Sequence, residues 1–184
     1  MTKRIAFFGG SFNPVHYGHV ELARNVVEKG YADEVWFSPS PRNPFKEEKN
    51  LMPLLKRVAL LHNAIDDIHG LKITDVEQSL PVPSYTVAAL DALTGRWPEC
   101  EFVLLIGSDN LERFTAWKSW SELLERYGLL VYPRRSGELV STNVAVELPE
   151  ELKQWSHKII VMDDMPLYDI SSTQIREGCR SCQG

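Results

Sequence analysis

Five consecutive apolar residues, Phe102-Val103-Leu104-Leu105-Ile106, constrain this chain more than any other feature. Side chains of a strand point alternately to its two faces, so a strand that is apolar throughout must be covered on both. The run therefore reads as a central strand of a parallel sheet with helices on each side. Ile5 to Phe8, Glu34 to Ser38, Leu129 to Tyr132 and Lys158 to Met162 read as further strands, and Leu71 to Val76 alternates like a half-buried one. Helical spacing recurs between them. Val20, Ala23, Val26 and Val27 share one face, with Gly30 as the stop. Leu54, Val58, Leu61 and Ile65 predict a helix from Leu54 to Ile65, with Arg57 beside the stripe. Ser84 is an expected N-cap for a helix carrying Val87, Leu90 and Leu93 and ended by Gly95. A further helix is expected from Ser119 to Tyr127, stopped by Gly128, and Val140 to Trp155 is expected to be mostly irregular with at most one short helix. Strands alternating with helices give an α/β fold, a Rossmann-like doubly wound parallel sheet with right-handed crossovers.

The loop after the first strand carries the chemistry. It reads Gly9-Gly10-Ser11-Phe12-Asn13-Pro14-Val15-His16-Tyr17-Gly18-His19. Glycines at 9 and 10 let backbone pass close to a ligand. The following helix start offers unpaired N–H groups and a positive dipole end, a combination that suits phosphate. His16 and His19, three apart, fall on one face of the first turn, and Gly18 is expected to leave room beside them. Two imidazoles at a phosphate can donate to oxygens whose charge grows during phosphoryl or nucleotidyl transfer. A histidine pair alone would read as a surface cap; the glycines before it and a second element near the C-terminus reverse that. The second element is Ile170-Ser171-Ser172-Thr173-Gln174-Ile175-Arg176, where Ser171 can cap a short helix with Gln174 completing a capping box. Gly107-Ser108-Asp109-Asn110 follows the central strand at the end where open α/β sheets bind ligands.

The two elements together resemble the His-x-Gly-His and Ile-Ser-Ser-Thr-x-Ile-Arg signatures of the nucleotidyltransferase superfamily. The wider sequence is similar to the bacterial nicotinate-nucleotide adenylyltransferases, from about residue 5 to 177. The resemblance implies a nucleotidyltransferase-type sheet in one domain over 1–184. It implies adenylyl transfer from ATP to nicotinate mononucleotide, giving deamido-NAD and pyrophosphate, with Mg²⁺ carried by the phosphates. The attacking group is an already anionic phosphate, so no general base is required. The resemblance gives His16, His19, Lys46 and Arg176 to catalysis, with His19 at the α-phosphate. Gly9, Gly10, Ser11, Phe12, Gly107, Asp109, Ile170, Ser171, Ser172 and Thr173 fall to ATP. Asn13, Asn43, Ser84, Tyr85, Thr86, Trp117, Lys118, Arg134 and Arg135 fall to the acceptor or its phosphate. From the residues alone, Trp117 would be core packing, Asp109 a helix cap and Arg176 a solvated helix end.

Three positions depart from the family pattern. Asn13 stands where Asp is commoner, Ala88-Ala89 replaces the usual Asp-Thr, and the chain ends soon after Arg176, where members usually continue; a shortened or different C-terminal segment is expected. Sister transferases for pantetheine phosphate or nicotinamide mononucleotide compete with this reading, as does a non-catalytic ATP-binding regulator. Ser84-Tyr85-Thr86 and Trp117 favour a pyridine nucleotide, and a regulator would need neither His19 nor Arg176.

A net charge of −5 argues against a nucleic-acid platform. No apolar run reaches membrane-span length and the N-terminus lacks a signal-peptide core, so a cytoplasmic protein is expected. Three cysteines fit a reducing compartment. Cys179 and Cys182 form a C-x-x-C without two further ligands nearby, so no zinc site is expected. Homo-oligomerisation is left open.

Overall fold

A computed structural model of the chain describes residues 2–41, 51–134, 146–168 and 170–181. Its strands are β1 (Lys3–Gly10), β2 (Glu34–Pro39), β3 (Leu71–Ile73), β4 (Cys100–Gly107), β5 (Leu129–Tyr132) and β6 (Ile159–Val161). They form one parallel sheet in the order β3-β2-β1-β4-β5-β6. The helices are α1 (Tyr17–Glu28), α2 (Leu54–Ile65), α3 (Thr86–Arg96), α4 (Ser108–Leu111), α5 (Trp120–Arg126), α6 (Glu150–Lys153) and α7 (Ser172–Ser181).

The central strands are apolar on both faces, as the sequence requires. Ile5 and Phe7 of β1 and Leu104 and Ile106 of β4 enter one core layer with α3 and α5. Ala6 and Phe8 of β1 and Val103 and Leu105 of β4 enter the other, with α1 and α2. The order turns back between β1 and β4, so the connections from these two strands leave in opposite directions. Such a switch point opens a crevice at the strands' carboxyl ends.

Where local reading of the sequence departs from the fold, side-chain partners explain it. The strand expected over Leu71 to Val76 stops at Ile73, and a 3₁₀ turn over Val76–Ser79 buries Val76 and Glu77. Ser84 does not cap α3. Tyr85 holds that place, and the Ser84 hydroxyl donates instead to the Glu77 carboxylate at 2.7 Å. Gly95 lies inside α3, which runs on to Arg96. Gly30 and Gly128 do end their helices, in the left-handed conformation that suits glycine, with φ of 74° and 70°.

Arg57 lies within the core-facing row of α2 at 1 % exposure, with Leu61 and Ile65. Its guanidinium donates to four carbonyls: Ser11 at 2.6 Å, Ser40 at 2.9 Å, Met52 at 3.0 Å and Pro41 at 3.4 Å. One planar fork thus joins the loop after β1, the end of β2 and the approach to α2. Burial pulls its pKa down. Replacing Arg57 by Leu leaves these carbonyls without their donor and should lower unfolding stability by about 3 kcal/mol or more. Arg57→Lys should recover only part, because an ammonium cannot span the fork. Denaturant unfolding measures both, and near-native stability of Arg57→Leu would show the clamp to be dispensable.

Candidate functional site

Gly9 and Gly10 end β1 at the crevice. A Cβ on either would stand 3.1 Å from an aromatic ring, that of Phe7 or Phe12. The chain then turns through Phe12, whose φ of 42° is unusual for a non-glycine residue. The strained turn buries Phe12 against Phe8, Phe37 and His19; the His19 ring meets it edge-on at 5.2 Å. The loop's polar groups are tied down too. The Asn13 amide oxygen accepts from Met52 N–H at 3.0 Å.

His16 and His19 do share a face. Their rings stack with centroids 3.7 Å apart. The His16 backbone N–H donates to His19 Nδ1 at 3.3 Å, so in the neutral ring of His19 the proton sits on Nε2. His16 is 9 % exposed and both ring nitrogens are buried; its side chain faces the His19 backbone N–H in a capping box, but neither nitrogen makes a well-formed hydrogen bond among the described residues. Burial first, and the Arg134 cation second, push its pKa down to about 4. Both histidines line one pocket with Gly18, Tyr132, Pro133, Arg134, Leu167, Tyr168 and Ile170. Two imidazoles beside an arginine suit phosphate oxygens.

Gly18 leaves no open space, contrary to expectation. A Cβ there would lie 2.7 Å from Ile170 Cγ2 and 3.2 Å from Tyr168 Cβ, so glycine lets Tyr168 and Ile170 close against α1. Asn25 holds Tyr168 by donating to its hydroxyl at 2.8 Å. The capping box at α7 forms as expected. Ser171 N–H donates to Gln174 Oε1 at 2.7 Å, and Gln174 N–H to Ser171 Oγ at 3.2 Å. α7 then docks on the histidine loop: Ser172 Oγ donates to the Pro14 carbonyl at 2.9 Å, and Arg176 donates to the Asn13 carbonyl and, at 3.0 Å, to Thr173 Oγ1.

At the end of β4, a Cβ on Gly107 would lie 2.3 Å from Asp109 Oδ1 and 3.1 Å from the Tyr132 ring, so a side chain there would displace Asp109. Asp109 pairs with Arg134 at 3.1 Å, and Ser108 Oγ accepts from Arg134 N–H at 2.9 Å. This joins the expected ribose and phosphate groups to the histidine pocket. On the other flank Thr86 opens α3, and Lys118 Nζ lies 4.3 Å from the centroid of the Tyr85 ring. Trp117 is half-buried against the Phe114 ring at 5.4 Å. Asn43, Lys46 and Arg135, with Cys182, lie outside the described residues. Among the described residues no cluster of three potential metal ligands occurs.

Sequence reading missed Arg57, Glu77, Tyr132 and Tyr168. An arginine inside an apolar helix row is a readable signal; the other three carry none. Tyr132 lines the pocket from β5, and burial pushes its hydroxyl up to about 12, so it stays protonated.

Residues 7–178 match the cytidylyltransferase-like family model. The chain belongs to this family. It is 39% identical over 173 residues to a "probable nicotinate-nucleotide adenylyltransferase" of Cytophaga hutchinsonii, covering 94% of this chain and 84% of that protein. A protein of the same description from Bacteroides fragilis is 38% identical, covering 95% and 81%. The fold matches a Plasmodium falciparum nicotinic acid mononucleotide adenylyltransferase complexed with NaAD, with a TM-score of 0.74, 18% identity and coverage of 95% and 83%.

His16 makes stability depend on pH in a defined window. Its folded pKa of about 4 lies below the ordinary value of 6.5. As pH falls from about 6.5 to about 4 the unfolded chain takes up the proton first, so the folded state loses stability there and loses no more below it. His16→Gln should flatten this part of the unfolding-stability profile. Superimposable profiles for the two proteins would contradict the buried, neutral ring.

Proposed function

We propose that the protein transfers the AMP group of ATP to nicotinate mononucleotide, releasing pyrophosphate and forming deamido-NAD for NAD biosynthesis. The observation that carries the transfer chemistry is the stacked His16–His19 pair at the β1/β4 crevice, which lines one pocket with Arg134. The descriptions of the bacterial relatives support the acceptor. Residues 1–184 act as one nucleotidyltransferase domain.

An oxygen of the acceptor phosphate attacks the α-phosphorus. The new P–O bond forms as the bond to the bridging oxygen of the β-phosphate breaks, and pyrophosphate leaves with that electron pair. The attacking oxygen carries no proton, so the site needs no base. It needs positioning and donors aimed at growing charge. His19 Nε2–H and a neutral His16 N–H supply donors. Arg134 supplies charge, and Gly9 and Gly10 let the nucleotide lie against backbone. Arg176 and Ser172 hold α7 to the loop; Asp109 meets the ribose. Lys46, Asn43 and Arg135 are assigned to phosphates and acceptor by resemblance.

A divalent cation, Mg²⁺, neutralises charge on the leaving pyrophosphate when bound. The residues fit a cation delivered on phosphate oxygens rather than one held in a protein cage. The nearby carboxylate, Asp109, is already paired with Arg134. None of the described helices is long and apolar enough to cross a membrane, and we place the reaction in the cytoplasm.

The test is pyrophosphate release from ATP, Mg²⁺ and candidate mononucleotides, with a chelator control. His19→Ala should lower turnover about 10²–10⁴-fold while the fold survives. A folded variant with near-normal turnover would remove His19 from the mechanism.

The acid should be preferred to nicotinamide mononucleotide. A carboxylate only accepts hydrogen bonds, and backbone N–H groups near Thr86 and Lys118 would provide them. An amide NH₂ facing those donors costs roughly 1–3 kcal/mol per mismatch, a preference of about 10- to 10⁴-fold in kcat/KM. Trp117→Ala should weaken use of both acceptors and alter their ratio less, because stacking serves either ring. Equal specificity constants would defeat the acceptor assignment and leave adenylyl transfer standing.

A further inference from the structure

Glu77 is a buried carboxylate with no place in the reaction so far. The other buried glutamate, Glu34, begins β2 at the end of the sheet away from the site, where Lys3, Lys72 and Trp36 Nε1 hold it. Glu77 is 8 % exposed, and serine hydroxyls hold it instead. Ser38 Oγ donates to Oε1 at 2.9 Å and Ser84 Oγ donates to Oε2 at 2.7 Å. Ser38 is the β2 residue in register with Gly9, and a Cβ on Gly9 would stand 3.8 Å from Glu77 Oε1. One carboxylate therefore touches the rung that carries the nucleotide loop and the residue that leads into Tyr85 and Thr86.

That second attachment matters because little else fixes the approach to α3. Residues 81–83 are exposed, Val82 at 58 %, and the α3 N-cap has no side-chain hydrogen bond. Ser84 is the buried polar anchor between this exposed stretch and the helix.

We infer that Glu77 is a positioning residue for the acceptor: through Ser84 it sets the start of α3, and so the backbone of Tyr85 and Thr86, at a fixed distance from Gly9-Gly10. The inference rests on the adenylyl-transfer reading above. Ser84 accordingly serves as an anchor, its hydroxyl turned to Glu77 rather than to the acceptor. In an in-line transfer a displacement of about 1 Å between two bound reactants costs on the order of 10²-fold, so such an anchor affects one substrate far more than the other.

The test measures KM for nicotinate mononucleotide and for ATP separately, together with backbone hydrogen exchange, in wild type, Glu77→Ala, Glu77→Gln, Ser84→Ala and the Glu77→Ala/Ser84→Ala double variant. Glu77→Ala and Ser84→Ala should each raise the acceptor KM about tenfold and leave the ATP KM within about twofold. The double variant should be no worse than Glu77→Ala, since both break one linkage. Glu77→Gln, which keeps an acceptor and the volume, should restore most of the loss. Amides at 84–88 should exchange faster in Glu77→Ala while those of β1 and β4 do not change. A lowered melting temperature with both KM values unchanged, a parallel rise of both, or unaltered exchange at 84–88 would overturn the inference. If Glu77→Ala does not fold, Ser84→Ala and Glu77→Gln still separate a selective effect on the acceptor from none. Failure of the wild type to release pyrophosphate with this acceptor would sink the functional reading instead, and the exchange comparison would still decide whether Glu77 anchors the segment.

Discussion

β1 and β4 lie side by side and parallel, and the chain winds away from them in opposite directions. Their carboxyl ends are therefore uncovered by the crossovers that bury the rest of the sheet. Whatever binds there meets strand-end backbone first, and the residues at that rim have little freedom. Gly9, Gly10 and Gly107 hold positions where a Cβ would run into Phe7, Phe12 or Asp109. Bulk in the neighbours and its absence at the rim are two sides of one packing solution. The Phe12 ring that crowds a Cβ at Gly10 also carries the core into the loop and meets the His19 ring edge-on.

Loops at such a crevice hold a reacting geometry only if their backbone is held. Here the holding is done by side chains bonding to carbonyls. Arg57 joins Ser11 to Ser40, Pro41 and Met52 from below the loop, while Arg176 and Ser172 reach Asn13 and Pro14 from α7. A buried guanidinium is costly to desolvate; several carbonyl dipoles offset that cost, and the charge of Glu77 adds to them. The arrangement suits catalysis by positioning, because each clamp fixes the path of a loop rather than one side chain.

The sheet and the nucleotide loop were legible because their signals are local. Apolar runs in β1, β4 and β5, the glycines at 9 and 10, and the Ser171–Gln174 capping box each specify their structure within a few residues. The histidine pair was legible for the same reason, as i, i+3 spacing leaves its rings nowhere else to go. What was not legible depends on contacts far apart in the chain. Ser84 makes a sound N-cap in isolation, yet a buried carboxylate seven residues back is a better partner for its hydroxyl. Val76 fits the alternation of a strand, yet burying Glu77 beside Ser38 turns the chain into a 3₁₀ turn. Gly18 looked like room for a ligand, but Ile170 and Tyr168, some 150 residues on, fill it. Asn13 shows a mixed case. The loss of a carboxylate there was readable, whereas the use of its oxygen to hold Met52 N–H was not.

The site also has to be positive without being blocked by its own counter-charges. A neutral His16 adds no charge, so it does not repel Arg134 and calls for no counter-ion. Arg134 carries the charge, paired with Asp109 at 3.1 Å while the side chains remain 31 % and 42 % exposed. An ion pair so open to solvent contributes only about 0–1 kcal/mol. In the reaction proposed above, exchanging that carboxylate for a phosphate oxygen would therefore be nearly free for Arg134, and it would release Asp109 to accept hydrogen bonds from a ribose. The weak pair keeps arginine and aspartate together at the rim. On that proposal it would let each turn to its own part of the nucleotide. A tighter, buried pair in the same place would hold the two residues more firmly and defeat both roles.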